Sequence, residues 1–280
     1  MDSINLKPGD VIKRHRLSTR IWHWTNALAL VVMLMSGLMI FNAHPRLYWG
    51  QYGANDDAAW LVIDDAKDTG FVEVAGVRLN TTGVLGVWTD AEGTLRKRAF
   101  PYWATIPSGY DLQAARRWHL TFAWVLSLAL LFYMGRSFWN GHVRRDLHIR
   151  KAEWSPRHIW NDIKDHARLR FPTGDAAKNY NILQKISYIG VIFILLPLMI
   201  FTGLTMSPAM NAAWPWLLDI FGGRQSARSL HFISSFALVA FFVVHIAMVL
   251  LAGPVNEVRS IITRRYRLPG KAETNQGEPA

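Results

Sequence analysis

Four long apolar blocks without a single Asp, Glu, Lys or Arg govern what this chain can fold into: residues 21–41, 118–134, 186–206 and 230–252. A helix needs about 20 apolar residues to cross the hydrocarbon core of a bilayer. Lipid offers the backbone no hydrogen-bonding partner, so a spanning segment must satisfy its own N–H and C=O groups, and a helix does so within one segment. The second block, bounded by Arg117 and Arg136, is a little short. The third holds Pro197, which predicts a kink that membrane helices tolerate. The expectation is an all-α membrane protein built on a four-helix transmembrane bundle.

Charge sets the orientation. The chain has 280 residues, is 51% hydrophobic and carries a formal charge of +11. In a soluble protein that excess would suggest nucleic acid. Here the basic residues lie between the apolar blocks, the pattern of cytoplasmic loops, and no nucleic-acid partner is expected. Lys7, Lys13, Arg14, Arg16 and Arg20 precede the first block against Asp2 and Asp10. The loop 139–184 holds Arg144, Arg145, Arg150, Lys151, Arg157, Lys164, Arg168 and Arg170, and the C-terminal segment Arg259, Arg264, Arg265, Arg267 and Lys271. The segment 42–113 is net acidic, with Asp56, Asp57, Asp64, Asp65, Asp68 and Glu73 among its carboxylates. Both termini are therefore expected in the cytoplasm. The 13 Trp residues suit interfacial anchoring. The first block runs too long for a signal-peptide core and reads as a retained helix.

The connecting segments have their own character. Phe71–Val74 and Gly83–Trp88 alternate with Gly and Asp turn signals, which predicts a small β-rich extracytoplasmic insertion over 42–113. In the inner loop, Ser155-Pro156 reads as an N-cap with Pro at the first helical position. Ile159, Trp160, Ile163 and Ala167 follow at helical spacing among basic residues, predicting an amphipathic helix on the cytoplasmic membrane surface. Residues 1–268 read as one membrane domain and 269–280 as a disordered tail. No tandem repeat is evident.

Cysteine is absent, which excludes disulfides, thiolate-bound iron–sulfur clusters, covalent c-type haem and Cys-ligated zinc. Any metal rests on His, Met or carboxylates, and the Met residues read as lipid or core contacts. Four of the ten histidines fall in the apolar blocks: His23, His119, His231 and His245. An imidazole inside a membrane helix is costly and usually has a partner or a task. One such His is readily explained by a hydrogen bond between helices; four are not. His231 and His245 are 14 residues apart on one helix. That is nearly four turns and roughly 21 Å of rise, so both side chains leave almost the same face at opposite depths. His23 opens the first span on the inner side, and His119 opens the second on the outer side. Depth therefore pairs His23 with His245 and His119 with His231. Each pair can clamp one iron axially, which predicts two haem groups as cofactors.

Other residues fit this geometry with alternatives open. Gly37 lies 14 residues after His23, Gly135 lies 16 after His119, and Gly190 and Gly203 are 13 apart in the third block. Glycine admits the close backbone approach a macrocycle needs, and ordinary small-residue helix packing explains each one equally well. Arg116, Arg117 and Arg228 oppose the positive-inside trend and are candidates for haem propionates, with snorkelling to lipid phosphate as their alternative; Arg20 is a candidate at the inner end, with topology anchoring as its alternative. His44 reads as an interfacial loop residue. His15, His142, His148, His158 and His166 read as solvated.

The set Arg20-Ile21-Trp22-His23-Trp24, Ser36-Gly37, Arg117-Trp118-His119, and His231 with His245 resembles the di-haem cytochrome b subunits of nickel–iron hydrogenases and formate dehydrogenases, in the bacterial cytochrome b superfamily. The likeness spans the four helices and continues through Ser155-Pro156-Arg157 and Tyr180-Asn181-x-x-Gln184-Lys185. In the formate dehydrogenase subunit, similar Asn and Gln positions line a menaquinone site, which makes Asn181 and Gln184 quinone candidates. Leu183 stands where that motif has Gly, and the insertion 42–113 is a second departure that suggests a different partner.

The resemblance implies two haem b groups, a bacterial inner-membrane location, and electron transfer between the quinone pool (menaquinone or ubiquinone) and an extracytoplasmic redox subunit, with a molybdopterin oxidoreductase among the candidates. A stand-alone quinone-linked superoxide oxidase is one alternative. A non-redox transporter or scaffold with structural histidine pairs is another.

Overall fold

The computed structural model describes residues 9–141, 143–150, 153–168 and 181–267. Asp2, Lys7, His142, Lys151, Arg170, Tyr180 and the 269–280 tail lie outside the described residues, as does the side chain of His166. Four helical stretches are long and apolar enough to cross a membrane: α1 (Leu17–Phe41), α2 (Leu112–Trp139), the stretch Ile182–Met206, and α8 (Arg224–Leu251). Each begins four to six residues before its apolar block. Backbone hydrogen bonding continues beyond the hydrocarbon zone, and hydropathy reads only that zone. At 28 residues, α2 is about 42 Å long and no longer short.

The third stretch is not uniform. It comprises α4 (Ile182–Ile189), a π-helical turn over Gly190–Leu195, and α5 (Leu196–Met206). Pro197 lacks the N–H that would bond the Phe193 carbonyl, and its ring crowds that carbonyl, so the ladder widens just ahead of it. The expected disturbance at Pro197 therefore takes the form of a wide turn. The start of α4 is fixed by a capping box: the Gln184 N–H donates to Asn181 Oδ1 at 2.8 Å, and the Asn181 N–H to Gln184 Oε1 at 3.3 Å.

The chain divides into two compact units. One comprises Trp24–Leu131 and Phe193–Val239. Between α1 and α2 it holds an antiparallel sheet in the order β2 (Arg46–Leu47), β3 (Leu61–Ala66), β4 (Thr69–Val74), β5 (Val77–Asn80), and a hairpin of β6 (Gly86–Thr89) with β7 (Leu95–Arg98). Phe41 at the end of α1, Leu47, Leu61, Ile63, Ala99 and Phe100 form its buried core, with Phe232 of α8 packed against them. The buried Asn42 amide pairs both ways with the Phe100 backbone, at 3.1 and 2.7 Å. Two short helices, α6 (Pro208–Ala213) and α7 (Trp216–Phe221), lead into α8. The first amides of α8 find their acceptor in this unit: Gln225 and Ser226 donate to the Gly50 carbonyl at 3.0 and 3.1 Å, and the Gly50 N–H donates to Ser226 Oγ at 2.7 Å. Gly223 permits this contact. Its φ is +109°, and a Cβ there would stand 2.5 Å from the Gly50 oxygen.

The other unit comprises the residues up to His23, Phe132–Ile192, and those from Ala240. It holds β1 (Val11–Lys13), paired antiparallel with β8 (Arg265–Arg267), and the helices α3 (Pro156–Ala167) and α9 (Pro254–Thr263). Arg14 bonds both Glu257 oxygens at 3.3 and 3.2 Å and lies 4.4 Å from the centre of the Tyr266 ring. Trp160 and Ile163 of α3 are exposed, as are Val255, Val258 and Ile262 of α9. The buried Lys185 ammonium meets both Glu153 oxygens at 2.9 Å and the His148 carbonyl at 3.2 Å.

Candidate functional site

The four membrane histidines face one another in two pairs, each inside one unit. In the first-described unit, His119 of α2 and His231 of α8 have ring centroids 6.3 Å apart at an interplanar angle of 59°. In the other, His23 of α1 and His245 of α8 are also 6.3 Å apart, at 55°. The pairs are those expected from depth along the helices.

This spacing tests whether the residues suit a haem. Two imidazoles that bind one metal from opposite sides, each through a nitrogen at about 2 Å, hold their ring centres about 6 Å apart. Direct imidazole stacking would bring them closer, and packing without a common ligand would have no reason to repeat the value. Neutral imidazole is a usual axial ligand of haem iron, and two of them leave its four equatorial positions to the porphyrin. Among the described residues, no group of three or more His, Asp or Glu is arranged to hold a bare metal ion. The donor set and its geometry therefore fit haem.

The surroundings place the remaining expected residues. A Cβ at Gly37 would stand 3.3 Å from His119 Cε1, and one at Gly203 would stand 3.4 Å from His231 Cε1. Both glycines thus make room for an imidazole. Gly135 and Gly190 have nothing within 4 Å of the Cβ position. Arg228 donates to the His44 carbonyl and lies 5.4 Å from the Phe41 ring centre. Arg116 and Arg117 are exposed on α2. Arg20 Nε donates to the Ile261 carbonyl of α9 at 3.1 Å, tying the start of α1 to the chain after α8. Asn181 and Gln184, the quinone candidates, turn their side chains to the capping box of α4. His44 stacks on Tyr48 with centroids 5.7 Å apart; burial and then the Arg228 and Arg46 cations hold its ring below the usual imidazole range. His148 and His158 are exposed, and His15 is half-buried.

Two residues that were assigned no role of their own from the sequence touch the histidines directly. Ser36 Oγ lies 3.1 Å from His119 Nδ1, and Thr202 Oγ1 lies 2.9 Å from His231 Nδ1. The signal available was a hydroxyl residue immediately before each of Gly37 and Gly203. In the other unit, Trp22 stacks on Tyr133 at 4.2 Å, and Phe241 on His245 at 5.8 Å.

Comparison with known proteins agrees with this chemistry. The family model described as prokaryotic cytochrome b561 matches residues 14–264. The putative protein-methionine-sulfoxide reductase subunit YedZ1 of Azospira oryzae is 25% identical over 234 residues, covering 83% of this chain and 87% of that protein. No solved structure matches. The match takes in all four spans and all four histidines, and the chain belongs to the prokaryotic cytochrome b561 family, as a multi-pass membrane haem b electron-transfer subunit.

Proposed function

We propose that this chain binds two haem b groups and carries electrons across the bacterial inner membrane between the quinone pool and an extracytoplasmic oxidoreductase subunit. The observation that carries the reading is the repeated 6.3 Å spacing of His23 with His245 and His119 with His231. A haem bound there supplies a one-electron iron couple; the protein contributes two fixed imidazoles per site and a low-dielectric surround. Because α8 carries one ligand of each pair, a single continuous helix joins the two ends of the path.

Basic segments flanking the spans support cytoplasmic termini, which puts His23 and His245 on the inner side and the β-rich insertion outside. Quinone exchange is assigned to the inner end. Asn181 and Gln184 would serve there by holding the corner where α4 begins, since each side chain accepts from the other residue's backbone N–H. Arg116, Arg117 and Arg228 remain the propionate candidates outside, and Arg20 inside. Gly37, Gly135 and Gly203 are the glycines assigned to haem packing, Gly135 with open space at its Cβ position. The relative's name as a subunit of a putative protein-methionine-sulfoxide reductase favours an outer oxidoreductase partner, of which a molybdopterin enzyme is one class, over a self-sufficient superoxide oxidase.

The test is haem stoichiometry and optical spectra of purified protein after each of His23→Ala, His245→Ala, His119→Ala and His231→Ala. Wild type is expected to hold two haems per chain. His23→Ala and His245→Ala should disturb the same haem, and the other two variants the second one. Loss of different haems from His23→Ala and His245→Ala would overturn the pairing, and the absence of reducible haem bands from wild type would overturn the function.

A further inference from the structure

We propose that a repeated cradle, Met-x-x-Ser/Thr-Gly-Leu, fixes both outer histidines as Nδ1–H tautomers and thereby sets the reduction potential of the haem they hold. This rests on the reading of His119 and His231 as axial ligands.

The proton positions follow from the partners. Ser36 Oγ lies 2.7 Å from the Val32 carbonyl and 3.2 Å from that of Met33. A hydroxyl has one proton, and a carbonyl only accepts. The Ser36 proton is therefore given back to its own helix, and its lone pairs face His119 Nδ1. The Met33 carbonyl is also 3.1 Å from that nitrogen. With acceptors on this side, Nδ1 must carry the proton, which leaves the Nε2 lone pair for a metal. Thr202 repeats the arrangement on α5. Its Oγ1 donates to the Leu198 carbonyl at 2.6 Å and lies 2.9 Å from His231 Nδ1, and the Met199 backbone also engages the His231 ring.

The residue after each hydroxyl completes the cradle. Gly37 faces His119 through Cε1, and Gly203 faces His231 through the same ring atom. Each imidazole thus lies with Nδ1 on a hydroxyl and Cε1 over a glycine. In sequence, Met33-Leu34-Met35-Ser36-Gly37-Leu38 matches Met199-Ile200-Phe201-Thr202-Gly203-Leu204. The ligand helices match as well: Arg116 stands three residues before His119, and Arg228 three before His231. No tandem period reveals this, because the cradles are 166 residues apart and the histidines 112. The unit is a helix pair, cradle helix plus ligand helix, used twice with different connections.

A fixed acceptor on Nδ1–H pushes electron density into the ring and makes the ligand more basic. That favours the oxidised iron, so removing the acceptor raises the potential. Thr202→Val keeps the shape and removes the hydroxyl; Thr202→Ser keeps the hydroxyl. Ser36→Ala should act in the same direction, and at each site a methionine carbonyl, Met33 or Met199, still accepts, so each loss is partial.

The experiment is a redox titration of purified holo-protein, followed at the haem absorption bands. Thr202→Val is expected to keep its haem and to shift one haem's reduction equilibrium about tenfold, a rise of about 59 mV, with the other haem unmoved. Thr202→Ser should return to the wild-type value, and Ser36→Ala should move the same haem in the same direction. Full haem content with both potentials unchanged in Thr202→Val and Ser36→Ala would overturn the proposal. Should Thr202→Val lose haem, the comparison of Ser36→Ala with Thr202→Ser decides, a shift only in the former supporting the cradle. Retention of both haems by His231→Ala would instead overturn the ligand assignment, a result separable from an unmoved potential.

Discussion

Gly37→Val asks a branched side chain to enter the space of His119. A Cβ at Gly37 stands 3.3 Å from His119 Cε1 and 3.6 Å from Nδ1. Ordinary carbon contacts lie at about 3.5–4.0 Å, so Ala asks the ring to retreat by a few tenths of an ångström, at a cost below about 1 kcal/mol. Valine adds two carbons about 1.5 Å beyond Cβ. In a helix its χ1 is held largely to one rotamer, so those carbons cannot freely turn away. The ring must then move by on the order of 1 Å, or the helices must part; overpacking of this kind costs about 1–3 kcal/mol. Metal–ligand bonds tolerate only about 0.2 Å. Charged to haem binding, 1–3 kcal/mol is a loss of about 5- to 150-fold in affinity at the outer site.

The assay is haem content together with the absorption spectrum, which distinguishes six-coordinate low-spin from five-coordinate iron. Gly37→Ala should hold both haems in low-spin form. Gly37→Val should lose one haem or convert it, and Gly203→Val should affect the same haem, since its Cβ would stand 3.4 Å from His231 Cε1. Gly135→Val is the contrast. Nothing lies within 4 Å of its Cβ position, so the protein alone accommodates it, and its effect, if a macrocycle packs there, falls on the other haem. An unaltered spectrum and full haem content in Gly37→Val would refute the reasoning, as would equal damage from Ala and Val.

Gly223→Ala should loosen the insertion from α8: a positive φ costs a side chain about 1–2 kcal/mol, and each displaced hydrogen bond to Gly50 adds about 1 kcal/mol. Limited proteolysis should show faster cleavage within 42–113 while the inner haem bands persist. Lys185→Met should destabilise by about 1–3 kcal/mol, a buried-pair cost reduced for screening because Glu153 keeps 25% side-chain exposure; adding Glu153→Gln should recover part of the loss in a thermal-unfolding cycle. Burial alone would raise the Glu153 carboxyl, but the Lys185 and Arg150 hydrogen bonds hold it below the usual range. That stabilisation is present above the unfolded carboxylate value of about 4.3 and is lost as pH falls through the lower folded value, so wild type and Glu153→Gln should converge in thermal stability under acid.

The spans and the histidine pairing were legible because both are local: a run of apolar residues, and a count of residues along one helix. Helix ends were less so, since Leu112–Arg117 of α2 continues the hydrogen-bond ladder without being apolar. Asn181-x-x-Gln184 carried a local signal that points to helix capping, and the structure uses it in that way. Ser36 and Thr202 were harder. A hydroxyl inside a helix usually bonds its own turn, as both do here, and only the neighbouring helix reveals the histidine its second lone pair meets. Gly50 with Ser226 and Arg14 with Glu257 were beyond reach, because each joins residues more than 170 positions apart with no periodic pattern to announce them.

The insertion's attachment bears on how the turn of α8 that carries His231 is held. Ser226 is held by Gly50, and Ser229 donates to the Tyr48 carbonyl at 2.6 Å and accepts from Trp60 Nε1 at 2.9 Å. Arg228 donates to the His44 carbonyl, and Phe232 packs on Phe41 at 4.7 Å. These residues flank His231 on the first three turns of α8. A cap joined to the bundle through a slack linker would leave the ligand helix indifferent to anything docked on it. Here these four residues of one short helical segment are bonded or packed against the insertion or its root at Phe41, and His231 lies among them. Force applied to the strands is therefore delivered to the turn that positions His231. A load on the insertion reaches His231 without touching its ring, because the attachment and the histidine share one rigid element.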